Sequence, residues 1–162
     1  MLFRSVSSSP GALTICIMTN QAHVIDAITG RHLQHWGKGN SESPIDGTAL
    51  SNAHGHADGT LALVHDHGGW SDGTVEITSP ASPVTFSSEN AHAITAVDWK
   101  HRVIAISGTS KNLILKTLDG EPVDTIRNAC SERIYKVSFS PDGRHVAVLS
   151  QSGELKVFKR PG

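Results

Sequence analysis

Apolar and polar residues alternate along this chain in short runs, and turn residues divide each run from the next. The pattern is sharpest between Ile134 and Lys159. There Tyr135, Val137 and Phe139 alternate with polar neighbours, and Ser140-Pro141-Asp142-Gly143 follows as a turn. His145 to Leu149 makes a second run, Gln151-Ser152-Gly153 a second turn, and Leu155, Val157 and Phe158 a third run. A period of two argues for strands, because successive side chains in a strand point to opposite faces. Pro141 presets φ at one corner of the first turn, and Gly143 supplies the positive φ of another. Three strands joined by two such turns form an antiparallel meander.

Fainter copies of this meander fill the rest of the chain. Phe3 to Pro10, set beneath Ile134 to Pro141, matches it identically at Val6, Ser7, Ser9 and Pro10. Leu13 to Met18 then stands where His145 to Leu149 stands, and Asn20-Gln21 turns the chain into His23-Val24-Ile25-Asp26. Gly37 to Asp46 is polar and rich in Gly, Ser and Pro, as an inserted loop is. In the second copy Thr48 to Leu50 reads as a short inner strand, His56-Ala57-Asp58-Gly59 as its turn, and Leu61 to Val64 as a buried strand. The third copy has Ile94 to Trp99, Val103 to Ser107, Leu113 to Lys116 and Val123 to Ile126. Repetition at about 40 residues is the period of propeller blades.

The run Val137 to Phe158 resembles the inner three strands of a blade in the WD-repeat β-propeller family, and Ser71 to Ile77 (SDGTVEI) resembles that family's third strand. The resemblance implies an all-β fold, a partial β-propeller of WD-repeat type over residues 1–162. About four antiparallel blades are expected, near 2–36, 47–87, 92–126 and 133–159, with a loop insertion at 37–46 and no outer strand in the last blade. The chain departs from the family in carrying no Trp-Asp dipeptide, and its Gly55-His56 falls in the expected turn. Gly30 to Gly37 also echoes the NHL repeat of a neighbouring propeller family. Closed propellers have no open sheet edge, so an arc of four blades implies a longer propeller, a second copy or a partner chain that completes it.

Composition narrows the choice of partners. The 162 residues are 38% hydrophobic and 18% charged, with a net charge of −1, so no basic surplus points to nucleic acid. The longest apolar run, Leu13 to Met18, is too short to cross a bilayer, and no membrane partner is expected. Cys16 and Cys130 are read as reduced cysteines of an intracellular, cytoplasmic protein. The Ser-rich opening has no acidic residue before Asp26, as in a mitochondrial presequence, but it carries a single Arg and no helical amphipathic pattern.

Histidine is the unusual count, at ten. His54-Gly55-His56 and His65-Asp66-His67 are two HxH pairs, and residues two apart on a strand share a face, as two ligands of one metal would. His54 to Asp58 also starts the HxHxDH motif of metallo-β-lactamases, but Gly59 stands where the last His belongs, and no helical periodicity accompanies it. The simpler reading places these histidines on turns of the second copy, singly hydrogen-bonded. No GxSxG, GxGxxG or GxxxxGK[ST] occurs, and Asp58, Asp72, Asp119 and Asp142 fall in turns, where Asp accepts backbone hydrogen bonds.

The expectation is therefore a non-catalytic scaffold for protein–protein interaction in a multi-subunit complex, with no cofactor and no metal. Its partner-binding candidates are Trp70, between Gly69 and Ser71 in a loop, and Leu155 and Val157 on the last strand. The alternative is a metal-dependent lyase or hydrolase that uses His54, His56, His65 and His67.

Overall fold

The period-two runs form strands, and each strand finds its sequence neighbour. The computed structural model describes residues 3–9, 12–17, 21–26, 28–37, 49–66, 73–78, 83–88, 93–108 and 110–160, with side chains from His23 onward apart from 33–37 and 49. The described residues form strands joined by turns, and none is helical. The first sheet is β1 (Phe3–Ser9), β2 (Ala12–Ile17), β3 (Gln21–Asp26) and β4 (His32–Gly37). The second is β5 (Ala49–Gly55), β6 (Leu61–Asp66), β7 (Gly73–Thr78) and β8 (Val84–Ser87). The third is β9 (Ile94–Asp98), β10 (Val103–Ser107), β11 (Leu113–Thr117) and β12 (Pro122–Ile126). The fourth has three strands, β13 (Ile134–Phe139), β14 (His145–Ser150) and β15 (Leu155–Lys159). Every pairing is antiparallel.

The sheets stack face to face in chain order, and the first strand of each lies innermost. β1 packs against β5, β5 against β9, and β9 against β13. Alternation along one strand serves two interfaces at once. Leu61 and Leu63 of β6 join Val24, Leu50 and Ala53 between the first and second sheets. Ala62 and Val64, one step away, join Val75, Ile77, Ile104 and Ile106 between the second and third. Between the third and fourth sheets lie Val103, Ala105, Leu113, Leu115, Ile134, Val137, Val146 and Val148. β6 and β10 are consequently buried at every position, whereas β14 alternates. Sheets two and three are covered on both faces; among the described residues, the fourth is covered on one.

The second sheet differs from the expectation at its inner strand. β5 runs on from Leu50 to Gly55, through residues with no apolar period, and pairs with β6 along its length after a bulge between Leu50 and Asn52. The apolar β6 supplies the packing that recruits those polar and small residues into a strand. His54 therefore lies within β5, not in a turn, and His65 is a core residue of β6 with no exposed surface.

In the fourth sheet, Gly143 closes the Pro141-Asp142 turn at φ +68°, with its N–H donating to the Ser140 carbonyl at 2.8 Å. A Cβ there would collide with the Asp98 carboxylate and the His101 ring. The glycine thus meets two needs, a left-handed backbone and a close approach between the third and fourth sheets.

One-sided burial of the fourth sheet sets an energetic contrast. Ile134→Ala, at a side chain with no exposed surface, is expected to cost about 2–5 kcal/mol. Leu155→Ala, at a side chain 67% exposed in the monomer, is expected to stay within about 0.5 kcal/mol. Urea unfolding of the two variants under monomeric conditions checks the difference, and equal losses would contradict it.

Candidate functional site

Three of the four paired histidines are described, and they do not converge. Register places His54 opposite Ala62, on the face toward the third sheet. There His54 Nε2 lies 2.9 Å from Thr95 Oγ1. His65 follows Leu61 and Leu63 on the other face, where its Nε2 lies 2.9 Å from Glu76 Oε2, both groups buried. His56 sits beyond the end of β5, with Nδ1 2.9 Å from Asp58 Oδ1 and its ring 5.3 Å from that of Trp99. The first HxH pair is split by the strand end, and His54 and His65 stand on opposite faces of one sheet. Among the described residues no three His, Cys, Asp or Glu side chains gather as metal ligands would. His67 and Trp70 lie outside the described residues.

Leu155 and Val157 are placed together on the free face of the fourth sheet. Val157 pairs with Ala147, and Leu155 with Leu149, so these four side chains lie side by side on one face. Leu155 is 67% exposed, Val157 61%, and Tyr135 on the neighbouring β13 67%. The matching face of the third sheet carries Val103, Ala105 and Leu115, all buried by the fourth sheet.

β15 also presents an open edge. Ser150 N–H donates to the Glu154 carbonyl at 2.9 Å, and Arg160 N–H donates to the Arg144 carbonyl at 2.8 Å. In an antiparallel ladder every second residue turns its backbone groups toward the partner strand. Lys156 and Phe158 therefore face β14, and the N–H and C=O of Leu155, Val157 and Lys159 point outward, where no strand pairs with them among the described residues. The turn before β15 is braced, since the Ser131 N–H and hydroxyl each donate to Glu154 at 2.8 Å. With Lys156 beside it, those bonds lower the Glu154 pKa to about 2.

No protein-family model matches the sequence, and no curated protein matches it. Solved structures do. The crystal structure of the computationally designed Ika4 protein superposes with a TM-score of 0.62 at 10% identity, covering 99% of this chain and 92% of that one. The crystal structure of the Myceliophteria thermophila Cps50 (Swd1) β-propeller domain superposes with a TM-score of 0.68 at 14% identity, covering 99% of this chain and 53% of that one. The fold is a β-propeller arc. Its four sheets are blades, and the chain spans about half the length of the second of these structures.

One polar cluster escaped sequence reasoning. Asp98, only 8% exposed, accepts from His101 Nδ1 at 2.7 Å and from Arg160 Nη1 at 2.8 Å. Arg160 lies 6.0 Å from the centre of the Phe139 ring. The cluster ties the end of the fourth blade to the third. Asp98 and Arg160 lie far apart in the chain, and no local motif announces their pairing. Of the turn aspartates, Asp58 accepts from the Thr60 N–H and Asp142 from the Arg144 N–H and the Ser140 hydroxyl, all bonds that shape turns. Trp99 packs against the core between the second and third blades.

Partial burial of His54 between blades makes stability depend on pH. Burial lowers its pKa from 6.5 to about 4, and hydrogen bonding to Thr95 only partly opposes this. The folded value lies below the unfolded one, so folding favours the neutral ring. The stability it lends is whole above pH 6.5 and is lost as pH falls toward 4, on the order of 1–3 kcal/mol in all. His54→Gln, which can still bond to Thr95, is expected to flatten the urea midpoint across that range. An unchanged slope would contradict this account.

Proposed function

We propose that this chain is a WD-repeat-like, non-catalytic scaffold that holds protein partners through its fourth blade. The observation that carries the reading is the surface of that blade: among the described residues it has three strands, an outward row of backbone donors and acceptors along β15, and exposed apolar side chains at Leu155 and Val157. Main-chain groups on an open edge accept an added strand, and alternate side chains beside them give selectivity. Exposed apolar side chains that cluster on one face mark interaction surfaces. The propeller fold supports the reading, because its loops and edges vary while the stacked sheets stay rigid. His54, His56 and His65 support it as well, since each is hydrogen-bonded to a different neighbour at a separate place.

Photo-crosslinking in cells tests the proposal. A photoreactive residue at position 157 is expected to give a discrete protein adduct, and the same residue at Ile28, 91% exposed on the turn between β3 and β4, to give none. Val157→Pro removes an outward N–H and leaves the β14 ladder intact. Introduced with the photoreactive group moved to Lys159, it is expected to reduce adduct yield at least tenfold. No adduct at position 157 above that at position 28 would overturn the reading.

A further inference from the structure

We propose that His23 and His32 hold one divalent transition-metal ion, a clasp that fastens the fourth strand of the first blade to the third. The site is separate from the HxH pairs of the second blade and independent of the surface of the fourth.

The ladder between β3 and β4 brings the two histidines together, although they stand nine residues apart in the chain. His23 pairs with His35 and Val24 with Gln34. An unbroken ladder would go on to set Asp26 opposite His32, on the other face from His23. Instead a bulge between Val24 and Ile25 admits one extra residue on β4 and sets His32 opposite Ile25. Ile25 lies two residues from His23, so the bulge carries His32 to the face that His23 occupies. Re-aiming a side chain in this way is a recurrent use of bulges. That face is turned from Val24, which packs against the second blade. His23 is half-buried and His32 exposed, so an ion reaches both from solvent.

The spacing suits two ligands of one ion. His23 Nδ1 lies 3.0 Å from His32 Nε2, and the ring planes cross at 74°. Imidazoles that bind one ion at about 2.0–2.1 Å place their nitrogens about 2.8 Å apart at a square-planar corner and about 3.4 Å apart at a tetrahedral one. The observed distance falls inside that range.

Protons balance without loss from the protein. The two nitrogens now meet across a hydrogen bond, in which one neutral ring donates and the other accepts. When the donor ring takes the tautomer with its proton on the far nitrogen, both facing nitrogens carry lone pairs. A turn of each ring about its side-chain bonds then aims both lone pairs at a common ion. One hydrogen bond is exchanged for two coordinate bonds, and the ion releases two of its waters. Such a donor pair selects Zn²⁺, Cu²⁺ or Ni²⁺ over Mg²⁺ and Ca²⁺, which prefer oxygen. The ion sits at the bulge, where the ladder itself is interrupted, and supplies the cross-strand tie that is missing there.

Calorimetric titration of the full chain with Zn²⁺, run beside Mg²⁺, tests the site. One equivalent of Zn²⁺ is expected to bind more tightly than any further ion, and Mg²⁺ to give no binding heat. His23→Gln and His32→Gln are each expected to weaken that first equivalent at least tenfold, with an unchanged circular dichroism spectrum. His32→Ala, at an exposed position, stands in for a variant that disturbs the fold. His56→Gln and His145→Gln are expected to bind as the wild type does. Amide exchange of β4, read by mass spectrometry, is expected to slow at least threefold in saturating Zn²⁺, and to stay unchanged in the His32 variant.

A wild-type chain that binds no Zn²⁺ would overturn the site, as would a first equivalent indifferent to both the His23 and His32 variants. Loss of that equivalent in the His56 variant would place the ion on the second blade and overturn the site as well. Exchange along β4 that ignores bound Zn²⁺ would overturn the clasp.

Discussion

Face-to-face packing of successive sheets, each strand serving two interfaces through its alternating side chains, is the constraint on which this structure depends. Leu61 and Leu63 point one way along β6, Ala62 and Val64 the other, and neither set is covered without a neighbouring blade. Blades therefore cannot stand alone, which is the physics of every repeat architecture. A blade in the middle of the series reads as continuously apolar at its centre, as β6 and β10 do. The blade at the end of the series is buried on one face, and the pattern of β14 registers it.

Among the described residues, the buried polar side chains of this stack are met by partners, with the Ser107 hydroxyl the exception. His65 with Glu76 lies wholly within the protein, and Asp98 draws on an imidazole, a guanidinium and a backbone N–H. Such groups are costly to bury unpaired, so their pairing reports structural work. Asp98 joins the third blade to the end of the fourth through Arg160, and Gly143 leaves room for that approach. The fourth blade is thereby fixed in place on the side that is covered, which holds its free face and open edge rigid. A preformed surface of that kind loses little freedom when it binds.

The extent to which the sequence exposes this arrangement varies along the chain. The third and fourth blades were legible because apolar alternation and strong turns, such as Ser140-Pro141-Asp142-Gly143, agree with each other. The inner strand of the second blade was not, since Ser51 to Gly55 has no hydrophobic period and is held as a strand by its pairing with β6. Leu155 and Val157 could be placed on a strand, but alternation alone does not say which of two faces lacks a neighbour. The HxH pairs were visible as spacing. The placement of His54 and His65 on opposite faces depends on the register between β5 and β6, which no spacing encodes. The Asp98 and Arg160 pair was invisible because its members meet only when two blades stack.

Function in this account follows from exposure: among the described residues, β15 presents both an unpaired hydrogen-bonding edge and an apolar face. Residue-resolved amide exchange along β15, by NMR on the purified chain, tests that claim most directly. Lys156 and Phe158, whose N–H groups turn toward β14, should exchange slowly. Leu155, Val157 and Lys159, whose N–H groups turn outward, should exchange fast, at rates set by open solvent. Uniform protection across all five would mean that a strand already lies on that edge, and the account would fail.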